Sequence, residues 1–373
     1  MQDEDFDVAV IGCGPTGATL ALLLAQQGLR VLALDREAGP CQQPRAVHFD
    51  AEVMRVWQWI GLAEPLLALT APHPGMRFVA PDGTLLLDWP RPQETGPQGW
   101  RGNFRFHQPE LETLLREALA RAPGVTLRPR CEAFLVEDRG DHVHLRFENM
   151  ATGRVGRASA RYVVGADGAR SLVRRFIDTP MEDLGFHERW LVVDALLHRD
   201  RPDLGPHTVQ YCNPARPATY SPGPGGRRRW EIAVHPQDEP MTEARAWALL
   251  RDWITPDEAS LERVAVYTFH ALVAQDWRRG RLLLAGDACH QTPPFMGQGL
   301  CAGVRDAANL FWKLALACRD HPATEALLAS YTTERRPNAR EYVATAVRLG
   351  RLINAADSGA ALRAALPGAA DDG

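Results

Sequence analysis

The sequence predicts an α/β protein in which a Rossmann-like dinucleotide-binding domain carries an inserted, mostly antiparallel β-sheet domain and C-terminal helices. Three observations predict it. The chain opens with a strand, a glycine-rich turn and a helix. Two apolar runs far downstream end in Asp-Gly and Gly-Asp. The middle alternates strand-like runs with turns, while the chain from 299 onward has helical periodicity.

Residues 6–11 are apolar and β-branched and stop at glycine, 18–27 read as an Ala/Leu-rich helix, and 29–34 as a second strand. The turn between them, Gly12-Cys13-Gly14-Pro15-Thr16-Gly17, is a GxGxxG, and Asp35 closes the second strand. A Cβ at Gly12 or Gly14 would hold the backbone away from a pyrophosphate, and the helix start beyond offers free N–H groups. With 31 glycines in the chain the bare motif arises by chance in about one such chain in five, so its context decides. A preceding strand, a following helix and an acid at ribose distance favour a dinucleotide, FAD or NAD alike.

Residues 52–69 read as a helix and its exit, and 70–102 are dense in Pro and Gly with strand-like pieces at 76–79 and 84–87. A helix follows over 108–121, then strands at 125–128, 131–137, 142–148 and 161–165. Strand-like runs at 190–197, 208–212 and 230–235 place an antiparallel sheet mid-chain, and the Ala/Gly-rich tail after about Ala356 is expected to be disordered. The expected organisation is a discontinuous nucleotide domain over 1–72, 103–180 and 268–345, a substrate sheet over 73–102 and 181–267, and a C-terminal helix or tail over 346–373.

Composition bounds the function. A chain of 373 residues, 45% hydrophobic and 24% charged, holds about two domains, and 42 Lys+Arg against 46 Asp+Glu (net charge −4) argues against nucleic acid or a polybasic membrane face. No apolar run is long enough to span a bilayer, and the acidic start Met1-Gln2-Asp3-Glu4-Asp5 is unlike a signal peptide, so a cytoplasmic protein is expected. Seven scattered cysteines without a CxxC predict neither disulfides nor a metal site.

Two further strand ends, Gly165-Ala166-Asp167-Gly168 and Gly286-Asp287, join the first. In a parallel sheet ligands gather at the carboxyl ends of strands, so Asp35, Asp167 and Asp287 are placed to reach one extended dinucleotide. At this point the chain resembles the single-component flavoprotein aromatic hydroxylases of the p-hydroxybenzoate hydroxylase fold, nearest the 3-(3-hydroxyphenyl)propionate hydroxylase branch. Gly12–Gly17, Pro44-Arg45-Ala46-Val47-His48-Phe49-Asp50, Phe106-His107-Gln108-Pro109-Glu110-Leu111, Gly165–Ser171, Gly286–Asp287 and Thr292–Gly303 carry the resemblance. It runs from about residue 5 to about 345. Close relatives in that branch often carry a further thioredoxin-like domain, and a monomer or homodimer is expected.

The resemblance implies noncovalent FAD, with Gly12, Gly14 and Gly17 at the pyrophosphate and Asp35, beside Arg36, on the adenosine ribose. It puts Arg45 and Gln108 along the FAD, Gly286 and Asp287 at the ribityl chain, and Pro294, Gly297, Gly299 and Leu300 at the isoalloxazine ring. Asp167, Gly168 and Arg170 would serve both FAD and an NADH or NADPH donor. It further implies a monooxygenase that hydroxylates a small phenolic or aromatic substrate with O2 through a C4a-hydroperoxyflavin. A dehydrogenase, reductase or oxidase of the same fold is the alternative enzyme, and a non-catalytic flavin-binding scaffold the alternative of another class.

Tyr211 and His207, with Gln210, Tyr220 and His235, are the candidates to bind or deprotonate a phenol, although alternation alone does not say which point inward. The remaining motifs take plainer readings. Trp57-Gln58-Trp59-Ile60 compares with the WxWxIP signature of flavin-dependent halogenases, but Gly61-Leu62 replace Ile-Pro, so a core or interface pair is expected. His290 reads as a hydrogen-bonding histidine behind the flavin loop, Cys289 and Cys301 as packing residues, and Arg227-Arg228-Arg229 as a solvated hairpin tip. The helix after the loop 293–299 is expected to bury Leu300, Val304, Ala307, Ala308, Phe311 and Leu314.

Overall fold

A computed structural model describes residues 4–353; the expected tail after Ala356 lies outside them. The opening unit forms as its pattern dictates. Strand β1 (Glu4–Ile11) is buried over its apolar half and crosses at glycine into helix α1 (Pro15–Gln26). Pro15 starts that helix three residues before the expected position, because a proline at the first helical position has the required φ and needs no N–H partner. Gly17 to Leu24 of α1 are all buried, so it is an interior helix, and β2 (Val31–Asp35) returns fully buried.

The first sheet places β1 at its centre. In order, Leu282–Leu284, Arg154–Gly165, β1, β2 and Val125–Pro129 pair in parallel. The early half of Arg154–Gly165 also pairs antiparallel with Val143–Asn149, which pairs with Cys131–Asp138. The carboxyl ends of Leu282–Leu284, Arg154–Gly165, β1 and β2 therefore lie side by side, at Ala285-Gly286, Ala166, Gly12 and Asp35.

The second sheet is eight-stranded and antiparallel except for one parallel pair. Its order is His290–Gln291, β6 (Ala259–Ala274), β3 (Met181–Leu197), β5 (Arg227–Ala233), β4 (Ala218–Pro222), Thr208–Tyr211, Gly75–Val79 and Leu85–Pro90. Two of its strands exceed expectation. The expected strand at 190–197 begins at Met181, and the 16-residue β6, absent from the sequence reading, runs through the expected boundary at 267/268. A small third sheet joins His48–Asp50, Asn103–Arg105 and Ala71–Pro72.

The register sorts side chains between two faces. Leu191, Val193, Tyr220, Trp230 and Ile232 share a buried cluster with Leu250 of helix α2 (Glu243–Leu250) and with Ile254. This is the sheet's outer face. The opposite, inner face meets the nucleotide body: Trp190 and Phe186 place their rings 5.5 Å and 5.6 Å from that of Phe295.

Helices α3 (Gly299–Ala317) and α4 (Thr324–Ile353) close the nucleotide body. The buried face of α3 is rotated from the expected one. Val304, Ala307 and Leu314 are buried with Cys301, Leu310 and Lys313, whereas Leu300, Ala308 and Phe311 are half-buried. Lys313 is drawn inside by Ser330 (2.8 Å) and Glu334 (2.7 Å) of α4, a pairing that apolar periodicity does not register. Of the two tryptophans, Trp57 is buried and donates to Thr19 Oγ1 (3.0 Å), while Trp59 is 49% exposed.

Candidate FAD-binding site

The glycine turn is built by close approach. Gly12 has φ +98°, and a Cβ there would lie 2.4 Å from the Ala166 carbonyl oxygen, so this glycine lets the ends of two strands touch. A Cβ at Gly17 would lie 1.9 Å from the Gly12 oxygen, which fixes how tightly α1 leaves the sheet. At Gly14 a Cβ would meet nothing within 4 Å. Only Gly14 thus fits the expectation that its Cβ would intrude on a ligand alone; Gly12 and Gly17 are required by the protein's own packing. The first turn of α1 has neither a side-chain cap nor an acid, leaving its N–H groups and positive dipole end for an anion.

Asp35 stands beside this turn. Its Oδ2 accepts from the Cys13 N–H (3.0 Å) and from Arg116 (2.6 Å), its Oδ1 from the Glu37 N–H (2.8 Å). Arg116, a residue the sequence reading missed, holds the carboxylate in place, and Oδ1 keeps a lone pair for a hydroxyl. Arg36 is exposed and pairs with Glu37.

The other predicted residues divide into those that face outward and those that support. Arg45 and Asp287, distant in sequence, come within 3.8 Å with exposed side chains. Gln108 is buried and accepts the backbone N–H groups of Arg45 (2.7 Å) and Ala46 (2.8 Å) while donating to Glu112, so it shapes the loop that carries Arg45. Asp167 Oδ2 accepts from Leu172 N–H (2.7 Å), capping the short helix Leu172–Ile177, while its buried Oδ1 has no hydrogen-bond partner among the described residues. Burial raises the Asp167 carboxyl above its usual range. Gly168 has φ +78° with open space at its Cβ position, and Arg170 is exposed.

Gly286 is held from behind. Asp306 Oδ2 accepts from Gly286 N–H (3.0 Å) and faces His290 Nε2 (2.7 Å), and Oδ1 accepts from Arg335 (2.9 Å), all buried. Burial alone would raise the Asp306 carboxyl, yet His290 and Arg335 together hold it below its usual value. His290 is the hydrogen-bonding histidine expected. Cys289, His290 and Asp306 also lie within 4.8 Å of one another in a metal-like triad, but Arg335 already supplies the positive charge there. Cys289 and Cys301 are fully buried, as packing residues are.

The loop Pro294–Met296 ends at Gly297 with φ +61°, where a Cβ would lie 3.3 Å from His48 Nδ1. His48 is buried, held at 2.7 Å by Asn103, and its ring is pushed toward neutrality by burial. Gly299 then opens α3, whose first turn again lacks a side-chain cap and an acid. Arg305 ties this helix to Asp50 (2.6 Å), the cap of the helix Ala51–Trp59.

The substrate-side candidates separate. Tyr211 packs on Trp253 (ring centroids 5.1 Å) on the sheet's outer face, turned away from the nucleotide body. His207 is half-buried just before Thr208–Tyr211. Arg229 overturns the solvated-tip reading of Arg227-Arg228-Arg229. It is 3% exposed, lies in β5, pairs with Asp194 (2.7 Å), and donates to the Pro44 and Arg45 carbonyls.

Two anion-ready helix starts, an open Gly14 and a carboxylate at the end of β2 fit an extended flavin dinucleotide. Relatives and solved structures agree. A probable NADH-specific resorcinol 4-hydroxylase of Rhodococcus jostii is 41% identical over 94% of this chain and 66% of its own length. A 3-(3-hydroxyphenyl)propionate/3-hydroxycinnamic acid hydroxylase of Paraburkholderia xenovorans is 38% identical over 90% of this chain and 54% of its own. The chain thus spans less than two thirds of these curated relatives. The flavin-dependent monooxygenase PieE, solved with FAD and substrate, superposes with a TM-score of 0.85 at 25% identity, over 96% of this chain and 65% of that one. The p-nitrophenol 4-monooxygenase PnpA of Pseudomonas putida shares the fold with a TM-score of 0.87, at 24% identity over 99% of this chain and 95% of that one. The family model described as the FAD binding domain matches residues 5–346, and the chain belongs to that family.

Proposed function

We propose that this protein is an FAD-dependent monooxygenase that inserts one atom of O2 into a small phenolic ring, using NADH as donor. Bound FAD supplies the electron transfer and the oxygen activation. The observation that carries the reading is the meeting of the flavin loops with one face of the second sheet. Arg229 grips the Pro44–Arg45 backbone at one end and Trp190 meets Phe295 edge-on at the other, so the inner face of the sheet is held against the flavin loops at two points. The residues of this chain hold FAD along Gly12–Gly17, Asp35 and Asp287, keep water from the ring with Phe295 and Trp190, and orient the phenol on the sheet.

The resorcinol hydroxylase among the relatives supports a phenol and NADH; the propionate hydroxylases support a larger phenolic acid. Purified protein is expected to be yellow and to release free FAD on acid precipitation. It should oxidise NADH faster than NADPH when resorcinol or 3-(3-hydroxyphenyl)propionate is added, with a product heavier by one oxygen atom. Donor oxidation that continues without O2 would favour the dehydrogenase alternative, and no oxidation with any phenol would favour the scaffold.

A further inference from the structure

The inner face of the second sheet is organised in rows that cross the strands. In the first row Ser221, Arg229, Asp194 and Arg263 are direct neighbours on successive strands. The second row runs Gln210, Thr219, Glu231, Val192, Ala265. Ala233, Trp190 and Tyr267 make the third. Alternate residues along a strand are about 6–7 Å apart, so the outer rows stand about 13 Å from each other.

Both outer rows are covered by the nucleotide body. Arg229 donates to the Pro44 and Arg45 carbonyls; Trp190 lies against Phe295, and the Tyr267 hydroxyl reaches Gln43 (3.4 Å). The middle row makes no such contact among the described residues. Ala265 and Thr219 are half-buried there, and at the β6 end Arg263 of the first row reaches across Ala265 to the Tyr267 hydroxyl of the third (3.4 Å), which leaves Glu231 as the polar group at the centre of the row.

Glu231 is the one ionisable group of this middle row. It approaches Arg229 at 3.8 Å, beyond hydrogen-bond distance, and its side chain keeps 15% exposure. Its neighbours are already engaged. Gln210 bonds Thr219 (2.6 Å) and the Ala218 carbonyl (3.0 Å). Arg229 and Arg263 both bind Asp194 at 2.7 Å.

Resting on the phenol-hydroxylase reading above, we propose that Glu231 binds the phenolic hydroxyl of the substrate and takes its proton. The phenol O–H bond breaks, a new O–H bond forms on the Glu231 carboxylate, and the negative charge passes to the phenolate oxygen. Net charge is unchanged by the transfer. The groups facing Glu231 are Arg229 on its own strand, Asp194 on the next and Arg263 beyond. Two positive charges against one negative leave one positive charge to balance whichever oxygen carries the anion. Burial raises the Glu231 carboxyl, Asp194 adds to the rise and the arginines oppose it, which brings the acceptor closer to a phenol of pKa about 10.

The test compares wild type with Glu231→Gln and Glu231→Asp, using resorcinol and a fluorinated resorcinol that ionises near neutral pH. With FAD content unchanged, Glu231→Gln should lower hydroxylated product at pH 7 on the order of 100-fold. The loss should shrink as pH rises toward the ionisation of the phenol, and at pH 7 with the fluorinated ring. A merely structural role would lower product equally at every pH and for both substrates, and that result, or wild-type product from Glu231→Gln at pH 7, overturns the inference. If Glu231→Gln loses its flavin, Glu231→Asp decides: a pH profile of product formation identical to wild type overturns the inference, and a shifted one supports it. A wild-type enzyme that hydroxylates no phenol overturns instead the reading on which this rests.

Discussion

The glycine turn at Gly12–Gly17 and the inner face of the second sheet are built by opposite means. At the turn the arrangement depends on the absence of side chains: at Gly12 and Gly17 backbones approach within what a Cβ would forbid, and the uncapped start of α1 offers its N–H groups outward. On the sheet, the arrangement depends on side chains brought together across strands, such as Asp194 with Arg229, 35 residues on, and Arg263 beyond it. The first arrangement is local in sequence and can be read from a motif. The second depends on register, and a one-residue slip would present the other face.

The largest effect tests the turn. Gly17→Ala places a Cβ 1.9 Å from the Gly12 oxygen, backbone that cannot move without parting α1 from β1, so the variant should yield no folded, yellow protein. Gly14→Ala, with open space around its Cβ, should fold with a near-normal circular dichroism melt yet retain little FAD. If both variants behave alike, the three glycines do not divide into packing and ligand positions as the geometry says.

Next come the buried carboxylates that anchor each region. Asp194→Ala leaves Arg229 and Arg263 facing each other in the sheet, and Asp306→Asn removes the charge shared by His290 and Arg335. Each should cost about 3–5 kcal/mol in urea unfolding, because one partner of a buried ion pair is stranded. Asp306 adds a dependence on pH. Its folded carboxyl is held below the usual value, so its stabilisation is present above the unfolded pKa of about 3.9 and is lost as pH falls through the folded value. Asp306→Asn should therefore flatten the acid limb of the stability curve below about pH 4. An unchanged limb would remove Asp306 as its source.

How much of this was legible in the sequence divides along the same line. GxGxxG, Asp35, the Gly-Asp strand end and His290 were readable because each sits in a short local pattern, a glycine turn or the end of an apolar strand. Arg116, Asp194 and Arg305 were not, since their partners are 81, 35 and 255 residues away. Strand β6 escaped notice because Arg263, Ala265 and Tyr267 interleave with Val264 and Val266 while both faces are covered, which blurs a period of two. The same blindness to facing made Tyr211 a candidate. Tyr211→Phe, on the outer face, should leave hydroxylation within about twofold and cost about 1 kcal/mol through its lost hydroxyl contact toward Trp253. A large fall in turnover with stability preserved would mean that the outer face communicates with the chemistry.

The smallest effect concerns the start of α3, where both principles meet: a backbone helix end beside a paired side chain. Gln298 is the N-cap residue, and its Oε1 accepts from Arg305 (3.2 Å), which itself is bound to Asp50 and Glu52. The uncapped first turn directs positive dipole toward whatever lies before it, and negative charge accumulates on a flavin when it is reduced. Gln298→Glu adds a competing anion at that point, though Arg305 stands ready to neutralise part of it. A net loss of about 0.5–1 kcal/mol of favourable field corresponds to roughly 10–20 mV for a two-electron couple, so the midpoint potential should fall by that amount with FAD still bound. Dye-coupled titration resolves such a shift. A midpoint equal to or above wild type would show that the start of α3 does not face the reduced edge of the flavin, and the loop Pro294–Gly297 would then need another partner than the ring.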